Sequence, residues 1–225
     1  MLFAAVATLV GLAGAVLLRG RQSFFWWGAL LIGGLAAIAY AGASLGNAMA
    51  FKVYYSLGAS MFPGWVGIGS LQVAFGRRLA RWPAVFILAL SALQLGLTLP
   101  AGVNQAALAA LNGSNGEGIL IPGAWIGPTV LFNTLGLGFA AVAAFFAWWR
   151  AFRYQGAETA AVAIGLSLVV LGVLARSAAV YRMLAAAGAP SAFMLLDALA
   201  FALVLAGAYV SRRLPAPLAK ALNAA

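Results

Sequence analysis

Residues 24–45 read FFWWGALLIGGLAAIAYAGASL, 22 consecutive positions without a charged side chain. At about 1.5 Å per residue, a helix of this length is about 33 Å long, close to the hydrocarbon thickness of a bilayer. Its aromatic start, Phe24 to Trp27, lies just after Arg21. Aromatic rings beside basic residues are typical of a membrane interface. The stretch therefore predicts a transmembrane helix.

The whole chain has the composition of this stretch. Of its 225 residues, 65% are hydrophobic and 7% are charged, and the mean hydropathy is +1.05. A soluble domain carries about 25% charged residues, which it needs to cover its surface. The sequence therefore predicts an all-α integral membrane protein.

The scarcity of reactive side chains excludes several function classes. The chain has no Cys and no His, and its only carboxylates are Glu117, Glu158 and Asp197. Thiol nucleophiles, Cys/His zinc sites, imidazole chemistry and an aspartyl-protease pair are therefore excluded. We expect no enzyme, no metal and no cofactor. The net charge is +10, but the basic residues lie beside apolar runs, which favours membrane lipids over nucleic acid as partners.

Seven apolar runs of 17 or more residues are candidate membrane helices. Runs 1 to 7 are residues 2–18, 24–45, 51–75, 83–99, 125–149, 159–187 and 191–211. They predict one seven-helix transmembrane domain over residues 1–225. The longest connection, residues 100–124, contains a turn-forming Asn-Gly-Ser-Asn-Gly stretch.

The basic residues predict the orientation of these runs. Ten of the 13 follow runs 1, 3, 5 and 7: Arg19, Arg21, Arg77, Arg78, Arg81, Arg150, Arg153, Arg212, Arg213 and Lys220. Cytoplasmic loops are enriched in Lys and Arg. We therefore expect a multi-pass protein of the cytoplasmic (inner) membrane, with its N-terminus outside and its C-terminus in the cytoplasm. Run 1 has basic residues after it and none before it, which favours a retained helix over a signal peptide. The matching basic patterns of runs 1–3 and 5–7 are also compatible with a duplication.

Three basic residues remain, Lys52, Arg176 and Arg182, and like Asp197 they lie towards the outer half. Charged side chains inside a membrane usually face the bundle and pair. Since Arg176 and Asp197 lie on either side of one short turn, we predict an ion pair between runs 6 and 7. Two interpretations stay open. The pair is a structural clamp, with Arg182 and Lys52 reaching lipid phosphates, or it belongs to a ligand or ion site.

Run 3 carries Pro63 and Gly64, which predict a helix kink or a short break, and Pro128 predicts a similar bend in run 5. We expect a simple kink that fits the helix to its neighbours. The alternative is a break that exposes backbone carbonyls to a substrate. Tyr54 and Tyr55 lie near the outer boundary, where they anchor the interface or line a pocket.

The topology resembles two known plans without identifying a family. Seven helices with an outside N-terminus resemble the plan of rhodopsins. A retinal Schiff base needs a lysine in the seventh helix, whereas the only lysines are Lys52 and Lys220, so covalent retinal is not expected. The three-plus-one-plus-three outline is similar to that of SWEET-type sugar transporters, but their Pro-Gln pairs are missing. Topology alone does not determine function.

The leading functional hypothesis is a protein that binds or transports a small anionic or zwitterionic molecule, or a lipid headgroup. The site would be an outward-facing cavity among runs 3, 5, 6 and 7. Its candidate ligand-binding residues are Lys52, Tyr54, Tyr55, Arg176, Arg182 and Asp197. One alternative is an accessory or scaffold subunit, packed through Ala and Gly against protein partners in the membrane. Another is a sensor that signals through a separate protein.

Overall fold

The computed structural model describes residues 2–18, 24–111, 116–176, 185–188 and 193–211. Within them the chain is all-α, apart from an isolated antiparallel bridge between Val103 and Leu120. The helices are α1 (Leu2–Leu18), α2 (Phe24–Ala43), α3 (Ala48–Tyr54), a π-helical segment (Tyr55–Met61), α4 (Phe62–Leu79), α5 (Arg81–Thr98), α6 (Gln105–Ala109), α7 (Ile126–Tyr154), α8 (Ala157–Ala175) and α9 (Phe193–Val210).

Helix length and hydropathy identify a multi-pass membrane protein. Five helices, α2, α5, α7, α8 and α9, are long and apolar enough to cross a membrane, and α1 is a shorter apolar helix. Large apolar side chains such as Leu35, Leu93 and Phe145 are exposed on their outer faces. Lipid, not water, is the solvent in which such surfaces are stable.

Most of the helices form a ring in chain order. α1 packs against α2, α2 against α4, α4 against α7, α7 against α8, α8 against α9, and α9 against α1. α5 lies outside this ring and touches α4 and α7. The interior contains the buried rings of Trp26, Phe62 and Phe201 among many small residues.

The crossing of α4 and α7 is so close that the two backbones touch. A Cβ on Gly67 would lie 2.5 Å from the carbonyl oxygen of Gly136, nearer than real Cβ contacts come. A Cβ on Gly64 would likewise meet the ring of Phe132 at 2.5 Å. Glycine at these positions lets the helices approach closely. The approach brings the first turn of α4, with Pro63, against the middle of α7.

Run 3 is helical throughout, but it is not a single α-helix. The helix begins at Ala48, where the Asn47 side chain accepts a hydrogen bond from the Ala50 N–H at 3.0 Å. It continues through the π-helical segment into α4. The regular backbone is interrupted at Gly76, whose φ of 83° lies in the left-handed region that favours glycine.

Two sequence-based predictions for the proline and arginine positions are wrong. Run 6 was expected to extend over residues 159–187, but α8 ends at Ala175, and Arg176 has non-helical angles of φ −93° and ψ 1°. Arg176 therefore lies at a helix end. Pro128 does not bend run 5, because α7 begins at Ile126 and places Pro128 in its first turn. The missing N–H of proline has no intrahelical partner to lose at that position.

Candidate functional site

The π-helical segment leaves two backbone carbonyls without their usual donors. In an α-helix, the Gly58 carbonyl would accept from the N–H of Phe62, but that N–H bonds to the Leu57 carbonyl instead. The next N–H along would be that of Pro63, and proline has none. The Ala59 carbonyl also loses its α-helical donor, because Pro63 is four residues further on. Free carbonyls inside a membrane protein must find other partners.

Two side chains from other helices supply the missing donors. Arg176, at the end of α8, donates from Nη1 to the Gly58 carbonyl at 2.9 Å. Asn133, on α7, donates from Nδ2 to the Ala59 carbonyl at 3.1 Å. The chain is helical through Pro63 and Gly64, so no open break forms there. The bend of the helix at this point stays a prediction. The π-helical turn is held by hydrogen bonds from two neighbouring helices.

Arg176 and Asp197 form a buried bidentate ion pair, so the structure brings together the two residues expected to pair. Arg176 Nε lies 2.7 Å from Asp197 Oδ1, and Nη2 lies 3.1 Å from Oδ2. The two side chains are only 4% and 2% exposed. The guanidinium carbon also lies 4.8 Å and 5.4 Å from the ring centroids of Phe62 and Phe201. Such contacts favour a cation in an apolar interior.

A cavity of about 640 Å³ lies beside this ion pair. Its volume is in the range of small-molecule sites, which are mostly apolar with a few polar groups. The wall comes from runs 3, 5, 6 and 7 and from the connection between runs 4 and 5. The lining residues are Tyr54, Tyr55, Gly58, Ala59, Pro63, Glu117, Thr129, Asn133, Thr134, Leu137, Gly138, Ala141, Val173, Arg176 and Phe193.

Tyr54 and Tyr55 both lie on the cavity wall. The Tyr54 side chain is completely buried, yet its hydroxyl has no hydrogen-bond partner among the described residues. Its ring packs edge-on against Tyr40, with the centroids 5.0 Å apart. Tyr55 is partly buried, and its ring packs against Trp125 at 5.1 Å. A buried hydroxyl without a partner is costly and is rare in native structures.

Lys52 does not line the cavity. Its Nζ donates to the Leu99 carbonyl at 2.8 Å, just beyond the last residue of α5. Lysine at a helix C-terminus satisfies a terminal carbonyl and interacts favourably with the helix dipole. The expectation that Lys52 also reaches lipid phosphates stays a prediction. Arg182, the other cation assigned to the site, lies outside the described residues.

A cluster of amide and hydroxyl groups joins α5 to the π-helical segment and α7. The completely buried Gln94 places Nε2 within 3.2 Å of Ser60 Oγ, 2.8 Å of Thr98 Oγ1 and 3.1 Å of Thr129 Oγ1. Its Oε1 has no partner among the described residues. Because Thr129 also lies on the cavity wall, the cluster holds this wall in place.

Sequence reasoning did not assign three residues of the site. Gly58 supplies the carbonyl that Arg176 binds, Asn133 satisfies the carbonyl of Ala59, and Glu117 lies on the cavity wall. A signal for Asn133 exists in the sequence, because a proline within a helix frees the carbonyl four residues before it, here that of Ala59. The sequence shows that a donor is needed but not which residue supplies it.

Comparison with models of known families, with curated proteins and with solved structures gives no match. The candidate site is therefore interpreted from its own geometry.

We predict that Asp197→Asn destabilises the protein by about 3–5 kcal/mol, because it leaves a buried guanidinium without a counter-ion. The double variant Arg176→Leu/Asp197→Leu removes both charges and should unfold at a temperature between those of Asp197→Asn and the unmodified protein. Thermal unfolding in detergent measures the three midpoints. Glu158→Gln, at an exposed carboxylate in the first turn of α8, is the control. A double variant less stable than Asp197→Asn would contradict the interpretation of the Arg176–Asp197 pair as a structural clamp.

We predict that Asn133→Ala costs about 1–3 kcal/mol, because the Ala59 carbonyl loses its donor. The same substitution should cost less in a Pro63→Ala background, because alanine has an N–H that can reach that carbonyl. A double-mutant cycle of unfolding free energies measures the coupling between the two positions. Additive effects would show that Asn133 does not compensate for the proline.

Proposed function

We propose that the chain crosses the membrane seven times and binds a small zwitterionic molecule, or a zwitterionic lipid headgroup, in a cavity open towards the outer face. The observation that carries this proposal is the cavity beside the Arg176–Asp197 pair, bounded by runs 3, 5, 6 and 7. A concave, mostly apolar site with a few convergent polar groups is the usual form of a small-molecule site.

The charges around the cavity favour a zwitterion over an anion. The Arg176 charge is balanced by Asp197, and Lys52 bonds elsewhere. A ligand with both a negative and a positive group matches this distribution better than one with a net negative charge.

The interrupted helix favours binding over a purely structural role. A scaffold subunit needs a continuous bundle with close-packed Ala and Gly, whereas the π-helical segment forms one wall of a cavity. Single π-helical turns within α-helices are frequent at functional sites. A transporting version of the proposal would need a coupling group, and both Asp197 oxygens are already bonded to Arg176. Binding is therefore the activity proposed here.

The positions of basic residues support the orientation. Arg150, near the end of α7, bonds to the Ala74 carbonyl and lies over the Phe75 ring. This contact brings the basic ends of α4 and α7 together. Trp125 lies at the opposite end of α7, directly before its first residue, and its ring packs against Tyr55 of the cavity wall. A bundle with its basic end in the cytoplasm therefore has the cavity mouth towards the outside.

We predict that a membrane-impermeant maleimide labels intact cells carrying Ala106→Cys but not Ala157→Cys. Both positions are exposed, the first in α6 and the second at the start of α8. Because the chain has no native Cys, each variant reports on one site. Both should be labelled after the membrane is permeabilised. The opposite pattern in intact cells would invert the proposed orientation.

We predict that Ala141→Trp abolishes ligand binding by filling the cavity, whereas Val142→Trp leaves binding unchanged. Ala141 lines the cavity, while its neighbour Val142 is exposed and does not. Purified protein is mixed with dihexanoyl phosphatidylethanolamine, and the thermal shift is measured. A saturating ligand at 100 times its Kd should stabilise the binding-competent proteins by about 2.7 kcal/mol. Equal shifts for both variants would place any binding outside the cavity.

A further inference from the structure

The cavity changes in character along α7. Its polar part is lined by Tyr55, Thr129, Asn133 and Thr134. Its apolar part is lined by Leu137, Gly138, Ala141 and Val173. From Thr129 to Ala141 the wall follows α7 for about 18 Å. The cavity is therefore amphipathic, polar near the start of α7 and apolar near the middle of that helix.

The face of α7 that lines the cavity continues onto the lipid-facing surface of the helix. Thr134, Gly138, Ala141 and Phe145 recur every three or four positions, so they lie on one helix face. The first three line the cavity, and all four are exposed. Phe145 is 64% exposed on a helix that is long and apolar enough to cross a membrane. Along α7, the cavity wall therefore passes directly into a surface that faces hydrocarbon.

The neighbouring helix, α8, is joined to α7 beyond this region. The Trp148 indole of α7 donates to Ser167 Oγ of α8 at 3.0 Å. Towards the other end of α8, Val173 lines the cavity and Arg176 bonds across to the Gly58 carbonyl of run 3. The cavity thus lies between the first half of α7 and the last turn of α8.

Gly138 shows where this space reaches the middle of α7. No described atom lies within 4 Å of a Cβ built on Gly138. Gly136 is the opposite case, because its Cβ would meet the backbone of Pro63. A close helix crossing therefore explains glycine at 136, whereas the space at 138 is room for something outside the described chain.

The depth of Gly138 indicates what can fill that space. Gly138 lies about 18 Å along α7 from its first residue, Ile126. The hydrocarbon core of a bilayer is about 30 Å thick, so this position has the depth of lipid acyl chains. An acyl chain that lies here stays within hydrocarbon, while the polar part of the cavity is within reach of its headgroup.

We propose that the ligand is a glycerophospholipid that enters the cavity sideways from the bilayer, between α7 and the end of α8. Its headgroup lies in the polar part of the cavity, and one acyl chain lies along Thr134, Gly138 and Ala141 towards Phe145. This inference rests on the proposed function and narrows its ligand to a lipid in place of a water-soluble zwitterion.

A chain-length series tests whether an acyl chain is bound. Glycerophosphoethanolamine, dibutanoyl phosphatidylethanolamine and dihexanoyl phosphatidylethanolamine share one headgroup and differ in their acyl chains. In thermal-shift titrations of the purified full chain, affinity should rise about fourfold for each methylene that enters the site, and thus about 15-fold from the dibutanoyl to the dihexanoyl lipid. Equal affinity for the three probes would contradict the inference.

Gly138→Leu tests where the chain lies, because it places a side chain in the inferred path. This variant should bind the dibutanoyl and dihexanoyl lipids with similar affinity. Gly96→Leu is the matched control, since Gly96 is an exposed glycine of α5, outside the cavity, and no described atom lies within 4 Å of its Cβ either. The control should keep the full chain-length dependence. A dependence that persists in Gly138→Leu would place the chain elsewhere and overturn the inference.

Spin labels test the side opening itself in liposomes. Because the chain has no native Cys, a nitroxide on Gly138→Cys reports on one position. It should collide more often with oxygen, which concentrates in hydrocarbon, than with a water-soluble nickel chelate, as a label on the lipid-facing Phe145→Cys should. A label on Ala106→Cys, in the exposed part of α6, gives the pattern of a water-facing site. That pattern at Gly138→Cys would show a cavity open to water instead of lipid.

The failure of this inference can be told from the failure of the proposed function. If glycerophosphoethanolamine binds as tightly as the dihexanoyl lipid and Ala141→Trp abolishes the binding of both, the ligand is a water-soluble zwitterion. The inference is then wrong while the proposed function stands. If none of the three probes shifts the unfolding temperature of the unmodified protein, both are wrong.

Discussion

Pro63 has no N–H, and the polar interior of this protein is organised around that missing donor. Membrane-spanning segments must satisfy their backbone groups within the protein, because lipid offers no partners. Here the π-helical segment releases the carbonyls of Gly58 and Ala59 beside Pro63, and Arg176 and Asn133 bond to them from two other helices. The guanidinium is then fixed in place, and Asp197 lies where it can neutralise it. A local backbone defect thus sets the position of the buried charge.

The ion pair with Asp197 neutralises the charge that Arg176 brings to the candidate site. The sequence places three cations, Lys52, Arg176 and Arg182, towards the outer half of the membrane, and this predicts a positively charged cavity. In the structure, one of them is balanced by Asp197 and a second, Lys52, satisfies the carbonyl of Leu99 at the end of α5. Lys52 illustrates why a count of charges does not give a local potential: a cation bonded to a helix terminus contributes little to a cavity that it does not line.

The success of sequence reasoning varied with the range of the interaction involved. Apolar run length predicted most helix positions within a few residues, because spanning a bilayer needs a fixed number of residues. The pairing of Arg176 with Asp197 followed from the cost of isolated charge in lipid. The end of α8 at Ala175 could not be predicted from hydropathy, because residues 176–187 are apolar enough to continue a helix. Pro128 was expected to bend the helix because its place in the first turn depends on a helix start at Ile126. Hydropathy locates the start of a helix poorly.

The sequence by itself determined that this is a helical multi-pass membrane protein with few ionisable groups, because hydropathy and charge are summed along the chain and need no knowledge of packing. Only the tertiary structure decided that Asn133 bonds to the carbonyl that Pro63 leaves without a donor, that Arg176 bonds to the carbonyl of Gly58, and that the Tyr54 hydroxyl is buried without a described partner. These facts arise where α3, the π-helical segment, α7 and the end of α8 meet. Contacts between residues more than 50 positions apart, such as Asn133 with Ala59, depend on how closely glycines let the helices approach, and periodicity within one helix carries no information about that distance.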